Sequence, residues 1–303
     1  MNQSIIACGR RVEIGVPVII WSEQGGFLCK NKRGRRTCSF HSPKLNAGPT
    51  RKNDNDYLIT DPKAAYEQLK TVVHQFILHY DSCYCSWHCN EILENHEFLG
   101  SHFYLDLDGT IYQTCDLYWK TNTAPADDRR GNSRAVHVEI ANLSWDARKS
   151  ETNRNEIKKN QYQKINGRWQ LILPKRYQDK LRTPKFLPSP ARENGSKGYF
   201  SRSVNGKTVN MWDYTEEQYF SLIRLCIGVN KLLPRIQLKI PWNDEMNEAP
   251  LDRLEGYASF CGILGHAHVQ DGRTGNVSTK YDPGSAMDWY RLKIAFDQKL
   301  GQI

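Results

Sequence analysis

The sequence predicts an α/β fold of the α+β kind, a central mixed β-sheet flanked by helices, and three observations lead there. Two short, largely apolar runs, residues 75–80 and 261–266, have the length and composition of buried strands. Residues 135–140 alternate strictly, so His137 and Glu139 share one face while Val136, Val138 and Ile140 fill the other. Helical patterns separate these runs, and no internal repeat is visible.

The elements follow in order. Residues 11–14 and 16–21 read as strands, with a turn at Gly25-Gly26. Residues 30–56 are polar and turn-rich and carry a basic run at Lys30, Lys32, Arg33, Arg35 and Arg36. Residues 1–60 are therefore expected to form an N-terminal extension packed on a main domain of residues 61–303. Asp61-Pro62 combines a capping acid with a first-turn proline and predicts a helix to about Val73. The strand 75–80 carries His79, and a helix is expected over 86–98. His102 to Leu107 should turn at Asp108-Gly109 and return through Thr110-Gln113 as a hairpin. Thr215-Glu216-Glu217-Gln218 is a capping box. It opens a helix whose apolar face is Tyr219, Leu222, Ile223, Cys226 and Leu233, ended by Pro234. Met287, Trp289, Leu292 and Phe296 mark a C-terminal helix.

The segment between breaks the pattern. Residues 145–207 hold 16 Lys/Arg against 5 Asp/Glu, a net of +11, which leaves −2 for the rest of a chain at +9. With Pro184, Pro188, Pro190 and Gly195 it reads as a long, partly mobile insertion, bounded at 145–212. Three readings of it are open: a solvated loop, a surface steering acidic polymers by Coulomb attraction, and a nucleic-acid contact. The last would use Trp169, Tyr177, Phe186, Tyr199 and Phe200, interleaved with the basic residues, but no recognised nucleic-acid motif supports it.

At 303 residues the chain suits one large domain or one domain with insertions. No apolar run approaches the roughly 20 residues of a membrane span. The first eight residues lack the basic and apolar parts of a secretory signal, which leaves the cytoplasm, another export route, or a missing leader. Nine cysteines, an odd number, leave at least one thiol free or paired between chains.

A catalytic zinc site needs three protein ligands and one open position. By residue type the candidates are His79 and His266, each ending an apolar strand, and Asp282 in the turn 280–284. They lie far apart, and no compact His-x-x-His spacing joins them.

Several short segments occur in a telling order. They are Phe76-Ile77-Leu78-His79-Tyr80, the run from Ser101 to Gln113, Val138-Glu139-Ile140-Ala141-Asn142, Gly265-His266 with Lys280-x-Asp282-Pro283-Gly284, and Asp288-Trp289. Together they resemble the type-2 N-acetylmuramoyl-L-alanine amidase and peptidoglycan recognition protein family, over residues 70–143 and 212–292. The strand Gly15-Val16-Pro17-Val18-Ile19-Ile20-Trp21 is also similar to larger bacterial members.

The resemblance implies one zinc ion at the end of the sheet in a substrate groove, held by His79, His266 and Asp282. His268 rivals His266, because both share a face if the strand continues. It further implies Glu139 as acid/base and Lys280 as the residue beside the oxyanion. The substrate would be peptidoglycan or muropeptides, cut between the muramic acid lactyl group and L-alanine. A peptidoglycan-binding module without catalysis is the alternative. His102, Asn122, His137 and His268 are expected to line the groove. Asn122, in Trp119-Lys120-Thr121-Asn122-Thr123-Ala124, stands where many members carry histidine. Cys83-Tyr84-Cys85-Ser86-Trp87-His88-Cys89 is too tight for a zinc knuckle using all its donors. The Cys83-x5-Cys89 spacing resembles instead the disulfide of recognition proteins, which would imply an oxidising compartment.

Overall fold

The computed structural model describes residues 2–30, 38–40, 50–52, 57–96, 98–146, 153–273 and 277–298. Most of the basic run at 30–36 lies outside the described residues.

Six strands form the central sheet: β1 (Val18–Ile20), β2 (Gln75–Tyr80), β3 (Phe103–Leu105), β4 (Ile111–Gln113), β5 (Ala135–Ile140) and β6 (Gly262–Gly265). Their order is β6-β2-β5-β3-β4-β1. All neighbours run parallel except the β3–β4 hairpin, so the sheet is mixed, as the sequence predicts. The expected strands at 75–80 and 135–140 are observed at those bounds. Segment 1–60 does more than pack on the sheet, because it supplies the edge strand β1. Its preceding hairpin, Ser4–Ala7 with Arg10–Glu13, is tied to β4 by the Gln113 side chain. That amide accepts from Ile6 N at 2.9 Å and donates to Ile6 O at 2.8 Å.

Alternation divides the sheet's two faces. Phe76, Leu78, Val136, Val138, Ile140 and Ile263 join the main core with the helices Pro62–Val72, Glu216–Leu232 and Trp289–Asp297. The helix starts are capped as their sequences require. Asp61 accepts from Ala64 N at 2.9 Å, and Thr215 and Gln218 form the reciprocal box. Thr215 Oγ1 also donates to Leu107 O at 2.7 Å, anchoring the long helix beyond the end of β3. The opposite face carries Ile77, His79, Ala135, His137 and Glu139, and this is the face of the site.

Three expectations change at their ends. The helix predicted over 86–98 stops at Leu93. Met287 precedes the last helix, which Asp288 caps through Arg291 N. The strand at 261–266 ends at Gly265, and a short helix, His266–Val269, takes over. His266 and His268 are therefore not on one strand face.

The basic segment is folded where it is described. Its strands at 145–146, 207–211 and 200–204 make a three-stranded antiparallel sheet, and residues 162–171 form a hairpin. Trp212 is the centre of its core, stacked on Tyr162 at 4.3 Å, with Trp169 at 4.9 Å and Tyr199 at 5.7 Å. This corrects the open-loop expectation. Tyr177 is buried in the same cluster, Phe186 packs against it and Phe200 packs on the main core. Tyr177 is buried and Trp169, Phe186, Tyr199 and Phe200 are partly buried, so their packing within the protein reduces the stacking surface that a nucleic-acid reading needs.

Candidate metal centre

Strand register assembles the site. β6, β2 and β5 run parallel, with Gly265 opposite Leu78 and Glu139 opposite His79. His266, one residue past Gly265, therefore follows His79 and Glu139 in a row at the carboxyl ends of adjacent parallel strands. Open α/β sheets bind ligands at that edge. Asp282 reaches the row from a loop pinned by Ala267 N donating to its carbonyl at 2.8 Å. The loop lies so close that a Cβ on Gly265 would meet Pro283 Cδ at 2.4 Å, and one on Gly284 would meet Met211 Sδ at 2.3 Å. The glycines of Gly265-His266 and Pro283-Gly284 are thus steric requirements of the centre.

Nδ1 of His79 and Nδ1 of His266 lie 2.7 and 2.9 Å from the same oxygen, Asp282 Oδ2. One donor atom from each residue falls within 4.8 Å of the others, and all three residues are buried. The far nitrogens are held as well. His79 Nε2 is 3.3 Å from His137 Nδ1, and His266 Nε2 is 3.2 Å from Gln270 Oε1. The Gln270 oxygen accepts from Nε2, the arrangement that leaves Nδ1 a lone pair for a metal.

The donor set fits a divalent cation. Two imidazole lone pairs facing one carboxylate oxygen repel unless a proton or a cation stands between them. Burial, reinforced by the neighbouring His266, lowers His79 to about 4, so the ring is uncharged near neutral pH and can offer a lone pair to a metal. Burial pushes Asp282 up, but His266 and His79 outweigh it and hold the carboxyl well below its usual range. His79, His266 and Asp282 can hold a metal ion, and all three line one cavity.

That cavity has a volume of about 440 Å³. Glu139, Lys280, Tyr281 and Thr279 line it beside the metal residues, and Ile92, Leu93 and Leu99 form an apolar wall. Burial raises the Glu139 carboxyl well above its usual range, the charges of Asp282 and Asp81 add to this, and Lys280 opposes it. The Lys280 loop is clasped from outside. Asn205, at the tip of the hairpin of strands 200–204 and 207–211, donates to Lys280 O at 2.8 Å and Ala267 O at 3.0 Å.

The four residues expected to line the groove sit elsewhere. His102 is fully buried, with Nε2 2.7 Å from Trp119 O and Nδ1 accepting from His137 N at 3.1 Å. His137 lies behind His79 and orients it. His268 Nδ1 accepts from Gly265 N at 2.9 Å, its Nε2 is 2.8 Å from Pro250 O, and its ring packs on Trp289. The cavity wall meets Thr123 rather than Asn122. Gln270 and Asn205, which brace the site, carry no signal in the sequence. Gln270 acts through an i,i+4 relation that exists only because a helix replaces the expected strand, and Asn205 acts across 75 residues. Cys83 and Cys89 are free thiols, not the implied disulfide.

No protein-family model matches this chain, and no curated protein matches it. Among solved structures it is similar to one titled as the crystal structure of a selenomethionine AmpD derivative. The alignment covers 74% of this chain and 85% of that one, at 12% identity and a TM-score of 0.34. Among the described residues no helix is long and apolar enough to cross a membrane.

Proposed function

We propose that this protein is a zinc-dependent N-acetylmuramoyl-L-alanine amidase, hydrolysing the amide between the lactyl group of muramic acid and L-alanine in peptidoglycan or muropeptides. The observation that carries the reading is the convergence of His79, His266 and Asp282 beside Glu139 and Lys280 in one cavity. These five residues are the ones for which the ordered sequence segments imply roles.

His79, His266 and Asp282 would hold the zinc, which when bound would supply a Lewis acid and lower the pKa of water to about 7. The protein's own residues handle protons and charge. Glu139, with its raised proton affinity, takes a proton from the attacking water and delivers one to the departing nitrogen. A carbon–oxygen bond forms at the lactyl carbonyl, the carbon–nitrogen bond breaks, and the products are a carboxylic acid and a free amine. Lys280 places positive charge on the cavity wall where the carbonyl oxygen becomes negative. Ile92, Leu93 and Leu99 exclude water from one side of the reacting amide.

Zinc analysis combined with muropeptide digestion tests the reading. Wild type should carry one zinc and release free peptide. His79→Ala should lose the metal and the activity, and Glu139→Ala should keep the metal and lose at least 100-fold in rate, on the order of a general acid–base contribution. Zinc without peptide release from wild type would transfer the reading to a peptidoglycan-binding module. Absence of zinc would overturn the ligand set.

A further inference from the structure

The run Cys83–Cys89 divides in space. Cys85 is buried in the core around Trp212. The His88 ring stacks near Tyr84 and Tyr177, with Nδ1 accepting from Tyr84 N at 3.3 Å. Only Cys83 and Cys89 turn toward the cavity, and they meet Asp81 there. One donor atom from each of Asp81, Cys83 and Cys89 lies within 4.8 Å of the others, the same closeness that unites His79, His266 and Asp282.

Local structure prepares this second cluster. Asp81 directly follows β2, and its Oδ1 accepts from Cys83 N at 2.8 Å and Asn142 N at 3.1 Å. Those bonds fix the carboxylate, while the buried Oδ2 has no hydrogen-bond partner among the described residues. Cys83 Sγ lies 3.1 Å from Asp81 O. Cys89 is presented by the first turn of the helix Ser86–Leu93. Both cysteines are buried, so the sulfurs are held rather than free to swing.

We propose that Asp81, Cys83 and Cys89 form a second metal site, for a thiophilic divalent cation such as zinc or cadmium, in the wall of the same cavity. Thiolate sulfur selects soft cations, and two sulfurs with one carboxylate oxygen leave a fourth position toward the cavity. Each thiol gives its proton to solvent as it coordinates, so binding weakens as pH falls. The proposal rests on this cluster alone and stands whether or not the protein is an amidase.

The test uses the full-length protein, stripped of metal, kept reduced by a non-thiol reductant and titrated with cadmium. Only thiolate ligation produces the ultraviolet sulfur-to-cadmium charge-transfer band. Wild type should bind two ions and show the band. His79→Ala should bind one and keep the band, while Cys83→Ser and Cys89→Ser should each bind one and lose it. Cys85→Ser, with circular dichroism, controls for folding and for adventitious thiols, and should keep the band. The proposal fails if reduced, folded wild type shows no band, or if the band survives in both Cys83→Ser and Cys89→Ser. It also fails if thiol counting after unfolding shows that Cys83 and Cys89 stay joined as a disulfide despite the reductant. Loss of the His79-dependent ion alone would count against the first centre and leave the second intact.

Discussion

Gln270 makes one contact with the centre, its Oε1 to His266 Nε2 at 3.2 Å, and its own amide donates to Ser278 O at 2.7 Å. It therefore holds a metal-facing ring from behind while being held itself. Removing such a partner typically costs 10–100-fold in metal affinity. Gln270→Ala should weaken zinc by about that factor, measured by competition with a chromophoric chelator, with little change in thermal stability. A second residue-scale prediction concerns acid. Burial pushes Asp128 up, but its hydrogen bonds from Arg134, at 2.6 and 3.1 Å, outweigh this and hold the carboxyl below its usual range. A folded-state value below the unfolded one means stability that is complete above the ordinary carboxylate pKa. It is lost as pH falls from about 4 through the depressed value. Asp128 is partly exposed, so solvent screening limits the effect to about 1 kcal/mol or less. Asp128→Asn should lower Tm at pH 7 and converge with wild type toward pH 2.

Elements differ in how well their sequences announce them. The strand 135–140 could be read to the residue because strict alternation distinguishes its faces, and 75–80 because an apolar run of that length is bounded on both sides. His266 sat at a strand end by expectation and at a helix start in fact. The apolar run through Ile263 and Leu264 carries no signal for the turn that Gly265 makes beneath Pro283. The metal residues themselves were legible through ordered short segments, not through periodicity or spacing, because strand register brings them together from positions 79, 266 and 282. The hairpin 200–211 is the least legible, because it lies in the stretch expected to be partly mobile although its tip clasps the loop that carries Lys280. Asn205 carries that clasp in a left-handed turn conformation, φ 47°, so Asn205→Gly keeps the backbone and removes the side-chain bonds. With the bond from Arg253 N to Asn205 Oδ1 at 2.8 Å, three side-chain bonds are lost, and at about 1 kcal/mol each the variant should lose about 3 kcal/mol or less of stability. Its muropeptide turnover should fall further than that loss explains, with zinc content unchanged. Denaturant titration and steady-state kinetics check the two parts.

At the scale of the molecule, charge and packing are separated. The +11 of residues 145–207 is carried by a segment most of whose aromatic side chains pack in its own core around Trp212, with Phe200 on the main core. Its excess of Lys and Arg is the cationic field that the proposed steering of acidic wall polymers would use. Such steering depends on ionic strength, since the Debye length shortens from about 30 Å at 0.01 M to about 8 Å at 0.15 M. Association with a polyanionic wall polymer should weaken steeply over that range, whereas turnover of a small soluble muropeptide should change little. Equal salt dependence of the two would remove the steering role.

The sheet described above takes one edge strand from residues 18–20 and the other from residues 262–265. The two edges are therefore supplied by segments far apart in the sequence. Pairings between such distant segments are slow to form. His79 and Glu139 come into register within the middle of the chain, but His266 and Asp282 arrive last. The candidate metal centre consequently closes only once β6 has joined the sheet, and a chain shortened before it carries one of the three candidate ligands, His79. Metal capture would then mark the completion of folding.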